Sequence, residues 1–397
     1  MNDLQHLRVA VVHEWLETPL GSERYLAEVL GVLPQADVFA IVDFMPHAHR
    51  GFLGGRVVRT SFIQRLPLAR RKFRSYLPLM PWAVEQFDMT GYDMVISNSH
   101  AVAKGVITSG NQLHVCICHS PMRYAWDLQH EYLQKSGLDH GARGLLARAM
   151  LHYLRMWDSR TANGVDSFIA NSQFVAGRIR KAYRRQSEVV YPPVDVAYFT
   201  PGQKRRNFYL CASRLAPYKR VDAVVRAFGM MPHRRLVVIG EGGQMKQLRR
   251  LAGPNIEFLG WQSREALRDY MRKAKAFVFA ASEDFGITTV EAQACGCPAI
   301  VLNHGGSAEI VIDRETGVFF DSPTPDAIVQ AVEHFEQLPR PDERVIRRNA
   351  CRFDSALCRR RLAEYLARQW SEFRSGREDG GAIESRRAAT AVQGSPR

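Results

Sequence analysis

Glu283 and Glu291 stand with seven residues between them in SEDFGITTVEAQACGCP, residues 282–298. The stretch between them suits an anion. Gly286 lets a ligand come close to the backbone, and the amides of Ile287, Thr288 and Thr289 open a helix at the carboxyl end of a strand, where a phosphate is favoured. A carboxylate on each side of a phosphate would repel it, so both glutamates are expected to accept hydrogen bonds from hydroxyls instead. A sugar joined to a nucleoside diphosphate satisfies both demands. Singly, such glutamates most often face water or complement a helix dipole; the glycine and the neighbouring segments shift that balance.

The same chemistry needs fixed positive charge. Arg214 and Lys219 follow a short strand at 208–212 and flank the loop SRLAPYKR, a placement suited to gripping diphosphate oxygens. Each charge-assisted bond contributes about 1.5 to 3 kcal/mol. On an ordinary surface both residues would simply be solvated. His119 follows the strand 113–118. A lone histidine is more often a structural hydrogen-bonder, but the end of a parallel strand is where a catalytic group is delivered into a cleft. Gly21, at the first strand-to-helix turn, is a candidate for close approach to a diphosphate or a plain turn glycine. No D-x-D triplet offers a divalent-ion site, so no metal is expected.

These residues must be held by strands that end together. Apolar runs at 7–12, 92–97, 113–118, 165–170, 208–212, 236–239, 256–260, 277–281 and 299–302 read as buried strands. Between them lie helical patterns, such as Tyr25, Leu26, Val29, Leu30 and Leu33 on one face of 23–33, with Ser22 as its cap. Alternation through both halves predicts an α/β protein of two doubly wound domains, with a cleft between their strand ends. The turn-rich stretch PPVDVAYFTPGQKRRN reads as the linker between them. The expected division is an acceptor-side domain over 1–200, a donor domain over 201–353, a final helix over 354–373 and a disordered tail over 374–397.

At 397 residues and 46% hydrophobic content, the chain has ample core for two or three domains. Lys and Arg number 54 against 40 Asp and Glu, a formal charge of +14, so an anionic partner is expected. Zinc-finger spacing, an RNP-type aromatic motif and a basic zipper are all absent, which argues against nucleic acid. Segment 60–82 interleaves Arg65, Arg70, Arg71, Lys72 and Arg74 with apolar residues such as Phe62, Leu68 and Leu79, the makeup of a segment lying on an anionic membrane face. An internal helix pair with solvated charges is an equal alternative. The sequence reads as having no secretory signal and no membrane-spanning run. Its seven cysteines, scattered and odd in number, are expected to be buried free thiols in a reducing cytoplasm.

EDFGITTVEAQACGCP resembles the donor-site motif of the retaining glycosyltransferases of family 4, whose GT-B fold consists of two facing Rossmann-like domains with a cleft between them. The resemblance runs over 9–370. Segments such as SNSHAVAKGVI, CHSPMRYAWDLQHEYL, YPPVDVAYF and SRLAPYKRVD are more narrowly similar to the WbaZ-like mannosyltransferases of bacterial O-antigen and exopolysaccharide assembly. The resemblance implies a metal-independent hexosyltransferase with no cofactor beyond its nucleotide-sugar donor, GDP-mannose. It also implies a lipid-linked oligosaccharide acceptor, retained anomeric configuration, and a cytoplasmic location at the inner membrane face. It matches Arg214 and Lys219 to the family's donor-phosphate residues and His119 to its histidine beside the donor sugar. Glu283 is then expected to hold sugar hydroxyls and Glu291 the ribose. The family usually has two adjacent glycines where this chain has Leu20-Gly21. Two alternatives stand beside this reading: the same fold with a UDP-sugar or other donor, and a non-catalytic basic scaffold for nucleic acid or membrane. No motif speaks to oligomeric state.

Overall fold

A parallel sheet is covered on both faces, so its strands read as uninterrupted apolar runs; VAVV at 9–12 and LVVI at 236–239 are of this kind. The computed structural model describes residues 4–18, 21–202 and 205–393, with side chains of the last helix described as far as residue 376. The first sheet contains β1 (Val9–Leu16), β2 (Asp37–Asp43), β3 (Val58–Thr60), β4 (Met94–Ser99), β5 (Leu113–Cys118), β6 (Ser167–Ala170) and β7 (Glu188–Val189), in the spatial order 3-2-1-4-5-6-7. The second contains β8 (Tyr209–Ala212), β9 (Leu236–Ile239), β10 (Ile256–Gly260), β11 (Ala276–Phe279), β12 (Ala299–Leu302) and β13 (Gly317–Phe320), in the order 10-9-8-11-12-13. Neighbouring strands in both sheets run parallel. This is the expected α/β fold of two doubly wound units. In each sheet the strand order reverses beside the first strand, between β1 and β4 and between β8 and β11, and such a reversal opens a crevice at the strand carboxyl ends.

β1 does not stop at Val12, where the apolar run ends. It continues through His13, Glu14, Trp15 and Leu16, with His13 and Glu14 fully buried, because both polar side chains find partners inside the domain. The first helix spans Gly21–Val32, so Ser22 lies within its first turn and is not its cap. Tyr25, Leu26, Val29 and Leu30 turn inward, as their spacing requires, onto a core shared with Val9, Val11, Ile96 and Val115. The helix Gln173–Tyr183 is capped by Ser172, whose hydroxyl accepts from the Val175 amide.

Segment 60–82 folds as short turns: 3-10 helices at Phe62–Arg65 and Phe73–Leu79 and a single helical turn at Ala69–Lys72, followed by the helix Met80–Glu85. Ile63 and Phe73 are buried in the core, which leaves Leu68, Leu79 and Trp82 as its exposed large apolar side chains. Arg74 is drawn back over Trp15 and Phe73 and pairs with Glu17. Six cysteines are buried free thiols, whereas Cys351 is exposed, in a short turn between helices.

The last helix, Ser355–Gln393, packs Cys358, Leu362, Tyr365 and Leu366 into the core of the first domain, and Arg359 Nε donates to Glu28 Oε2 at 2.7 Å. The helix runs on beyond Phe373, where the sequence reading ended it and placed a disordered tail; residues 394–397 lie outside the described residues.

Candidate active site

The loop leaving β11 turns at Gly286, whose φ of 109° is left-handed. A Cβ there would lie 2.6 Å from Ser307 Oγ, so both conformation and space demand glycine. The helix Ile287–Ala294 begins at this turn. Its third amide is not available, because Thr289 N–H donates to Gly286 O at 2.9 Å; this corrects the expected trio and leaves the amides of Ile287 and Thr288 at the open end. Beside them, Thr289 Oγ1 and Ser307 Oγ are buried with no hydrogen-bond partner among the described residues. Polar atoms buried in this way are usually satisfied by water or a ligand.

Glu291 lies one turn further on, buried, and accepts from Arg24 Nη1 of the first helix at 2.6 Å. Burial pushes its carboxyl up, and Arg24 offsets this only in part. The two helix starts meet closely: a Cβ on Gly21 would lie 3.2 Å from Ile287 Cδ1. Gly21 thus allows approach of the opposite domain as well as of any ligand between them. Leu20 lies outside the described residues.

Lys219 Nζ is bonded to Glu283 Oε1. Burial pushes the Glu283 carboxyl up, but the adjacent Lys219, with Arg123 behind it, overcomes this and holds it below the usual glutamate value. The structure therefore joins the predicted phosphate cation to the predicted sugar-binding acid. Arg214, just past β8, is exposed and makes no hydrogen bond to the other predicted residues among those described. It lies on the same strand-end loop as Lys219, which the 3-10 turn Pro217–Lys219 carries inward.

His119 follows β5 in the first domain, and its Nε2 lies 2.6 Å from Asn98 Oδ1. Burial drives its pKa well below that of a free imidazole, helped by His100, His13 and Arg123, so the ring is neutral at pH 7. Next to it is a group that the sequence reading missed. Glu14 Oε1 accepts from the amides of His100, Ala101 and Ala103 at 3.0, 2.7 and 3.1 Å, and Oε2 from the Val102 amide at 3.0 Å. Burial works against its charge, but His100 and these amides outweigh that cost and lower its pKa. Glu14 thereby fixes the loop after β4. The only signal in the sequence was a polar pair, His13-Glu14, prolonging an apolar strand.

Asp284 was also missed, although it lies inside the central motif. It is paired with Arg123 and with Arg178 Nη1, the latter at 2.8 Å, both from the first domain. Its carbonyl accepts from Ser172 Oγ at 2.5 Å. Glu309 makes a second clasp, accepting from the amides of Gln173 and Phe174 at 2.9 and 2.8 Å. A cavity of about 520 Å³ lies alongside, lined from both domains by residues including Arg123, Asp127, Tyr218, Ser282 and His304. Among the described residues there is no cluster of three or more His, Cys, Asp or Glu that could hold a metal ion.

Residues 20–198 match the family model described as Glycosyltransferase Family 4, and residues 199–352 match the one described as Glycosyl transferases group 1. The chain carries both glycosyltransferase domains. The D-inositol 3-phosphate glycosyltransferase of Mycolicibacterium smegmatis is 32% identical over 189 residues, 41% of this chain and 44% of that protein. From the same organism, the GDP-mannose-dependent alpha-(1-6)-phosphatidylinositol monomannoside mannosyltransferase is 27% identical over 223 residues, 48% of this chain and 58% of that protein. The alignment spans about half the length of these curated relatives. Among solved structures, the sucrose-phosphate synthase of Thermosynechococcus elongatus superposes with a TM-score of 0.70 at 17% identity, covering 92% of this chain and all of that one. Anabaena Alr3699/HepE in complex with UDP-glucose superposes with a TM-score of 0.63 at 18% identity, covering 91% and 100%. The glycosyltransferase domains of this chain are thus arranged in the GT-B fold, with the strand-end crevices of the two sheets brought together across the contacts at Arg24, Asp284 and Glu309.

Proposed function

We propose that this protein transfers a hexose, mannose from GDP-mannose, to a lipid-linked oligosaccharide of bacterial surface polysaccharide assembly. The observation that carries the transfer reading is the Lys219–Glu283 pair beside the open amides of Ile287 and Thr288. A cation, two amides and a hydroxyl-accepting carboxylate together meet a sugar diphosphate better than any of them would meet phosphate or sugar alone. The mannose assignment is supported by the GDP-mannose-dependent relative and by the narrower resemblance of segments in both domains, SRLAPYKRVD of the second among them.

In this reading the bond from the anomeric carbon to the diphosphate oxygen breaks, and its electron pair departs on the diphosphate. Arg214, Lys219 and the two amides stabilise that growing charge, which is larger in the transition state than in the bound donor. The acceptor hydroxyl oxygen forms the new bond on the same face, and its proton passes to the departing phosphate oxygen. Glu283 orients the sugar and Glu291 the ribose, and the protein supplies the positive charge without a metal. The exposed Leu68, Leu79 and Trp82 among the basic residues of 60–82 support contact with an anionic membrane surface, where a lipid-linked acceptor would be met. No helix of the described residues is long and apolar enough to cross a membrane.

Calorimetric titration with GDP, UDP, GDP-mannose and UDP-glucose, followed by product analysis with lipid-linked acceptors, tests the proposal. Preference for GDP and mannose transfer are expected. Preference for UDP would move the assignment to the alternative donor class. Absence of any nucleotide binding, with strong salt-dependent binding of DNA, would favour the scaffold reading.

A further inference from the structure

His13, Asn98 and His119 are brought to one face of the first sheet by register alone. His13 pairs with Asn98 between β1 and β4, and Asn98 pairs with Ile117 between β4 and β5. His119 is two residues beyond Ile117, and the period of two along a strand returns it to the same face. The three side chains form a row, with His13 and Asn98 buried and His119 half-buried: Asn98 Nδ2 lies 3.0 Å from His13 Nδ1, and Asn98 Oδ1 lies 2.6 Å from His119 Nε2.

The direction of every bond in this row follows from one backbone atom. Asn98 Nδ2 also lies 3.0 Å from the carbonyl oxygen of Ser22, and a carbonyl oxygen can only accept. The NH2 end of the amide must therefore face Ser22 and His13, and its oxygen must face His119. An amide oxygen cannot donate, so His119 carries its proton on Nε2. The amide nitrogen has no lone pair to offer, so His13 Nδ1 is bare and its proton sits on Nε2, 3.6 Å from Glu23 Oε1.

We infer that Asn98 is a positioning residue that holds His119 in the tautomer with Nε2 protonated and Nδ1 bare. His119 then takes a hydrogen bond at Nδ1 and cannot give one there, so the ligand group it selects is a donor, such as a sugar hydroxyl. That last step rests on the sugar-transfer reading; the tautomer does not. The surroundings keep the ring uncharged. Tyr25 of the first helix presents its ring at 5.6 Å, His100 of the loop after β4 lies 6.5 Å away, and Arg123 of the loop after β5 adds positive charge. Glu14 is already satisfied by four backbone amides and Ser99, and Glu23 faces His13.

Long-range proton–nitrogen NMR of the full-length protein, labelled with ¹⁵N at histidine and assigned with His119→Gln, tests this directly. The wild type should show His119 with a protonated Nε2 and a bare Nδ1 throughout the neutral range, where a free imidazole would begin to take up a second proton. Asn98→Asp replaces a donor and acceptor by an acceptor only. His13 must then move its proton to Nδ1 or become charged, and His119 should begin to titrate in the neutral range. With GDP-mannose as donor, kcat for donor hydrolysis should fall about tenfold to a hundredfold in Asn98→Asp while KM changes little, and its acid limb should move to higher pH. Asn98→Ser, which keeps a small polar group, covers the case in which the aspartate variant fails to fold, and should show a mixture of His119 tautomers. Protonation of His119 at Nδ1 in the wild type, or variants that leave its tautomer and titration unchanged, would overturn the inference. Loss of the transfer reading alone, with no donor bound, would leave the NMR result standing.

Discussion

Arg24, on the first helix of one domain, donates to Glu291 Oε1 of the other at 2.6 Å. The bond joins the two halves through the carboxylate assigned to the ribose, so a nucleotide that uses Glu291 must compete with Arg24 for it. Arg24→Ala removes the competitor. Binding of GDP, followed by calorimetry, should tighten about threefold to tenfold, a fraction of the usual strength of a charge-assisted bond. Small-angle scattering should show a more open average shape without ligand. Weaker GDP binding in the variant would mean that Arg24 serves the ligand instead.

Lys219 and Glu283 neutralise one another, and a donor that uses both must part them. Lys219→Ala and Glu283→Ala should each lower turnover roughly tenfold to a thousandfold while the thermal transition survives. Arg214→Ala should act in the same direction, because its exposed position leaves it free to reach the diphosphate. Wild-type turnover in all three variants would remove the site assignment.

The parts of this site that were legible in the sequence are those that follow from one segment at a time. Gly286 and the helix after it could be read because strand, glycine and helix are consecutive, and nine expected strands appear with ends shifted by at most a few residues. What could not be read is the pairing between distant segments. Asp284 meets Arg123 and Arg178, and Glu14 meets amides at 100–103; neither partner is signalled by local spacing. Four strands were not expected: β3 and β7 are short and poor in apolar residues, β13 is only GVFF, and β2 was missed although its run VFAIV is as apolar as those of its neighbours. The apolar residues of 60–82 gave no sign of which would be buried, because Ile63 and Phe73 differ from Leu68 only in what packs against them.

Lys104 and Asp158 form a buried ion pair at 2.7 Å. Lys104 Nζ also donates to Asp158 O and Thr161 Oγ1, while Trp126 Nε1 and Tyr183 OH donate to Asp158 Oδ2. Lys104→Met leaves Asp158 charged and buried, which should cost about 3 to 5 kcal/mol in chemical denaturation. Adding Asp158→Asn removes the uncompensated charge, so the double variant should recover part of that loss. If the two costs simply add, the pair is not coupled.

His114 is enclosed between Ser97 Oγ at 2.9 Å and Gly164 O at 3.1 Å, and burial pushes its pKa down to about 4. The unfolded chain takes up this proton near pH 6.5. The neutral ring therefore contributes its full stability above about pH 6.5, and that contribution is lost as the pH falls towards 4, by about 3 kcal/mol in all. His114→Gln should be less stable at neutral pH but should lose less between about pH 7 and about pH 4.5 in urea unfolding. An equal acid loss in both proteins would place the sensitivity elsewhere.

Leu68, Leu79 and Trp82 are 62%, 40% and 56% exposed, within a segment that also presents Arg65, Arg70, Arg71 and Lys72. Leu145, Leu146, Tyr153 and Met156 make a second exposed apolar stripe on the helix Gly141–Thr161, whose Leu154 enters the same core as Ile63 and Phe73. Each cation near an anionic surface contributes about 1 kcal/mol, and apolar insertion adds to this without depending on salt. Reversing Arg70, Arg71 and Lys72 to Glu should therefore reduce binding to phosphatidylglycerol vesicles about tenfold or more and abolish most of its salt dependence. Trp82→Ser should weaken binding while leaving the salt slope in place. Equal pelleting of wild type and charge-reversed protein would show that this face does not meet the membrane, and would leave the cleft chemistry untouched.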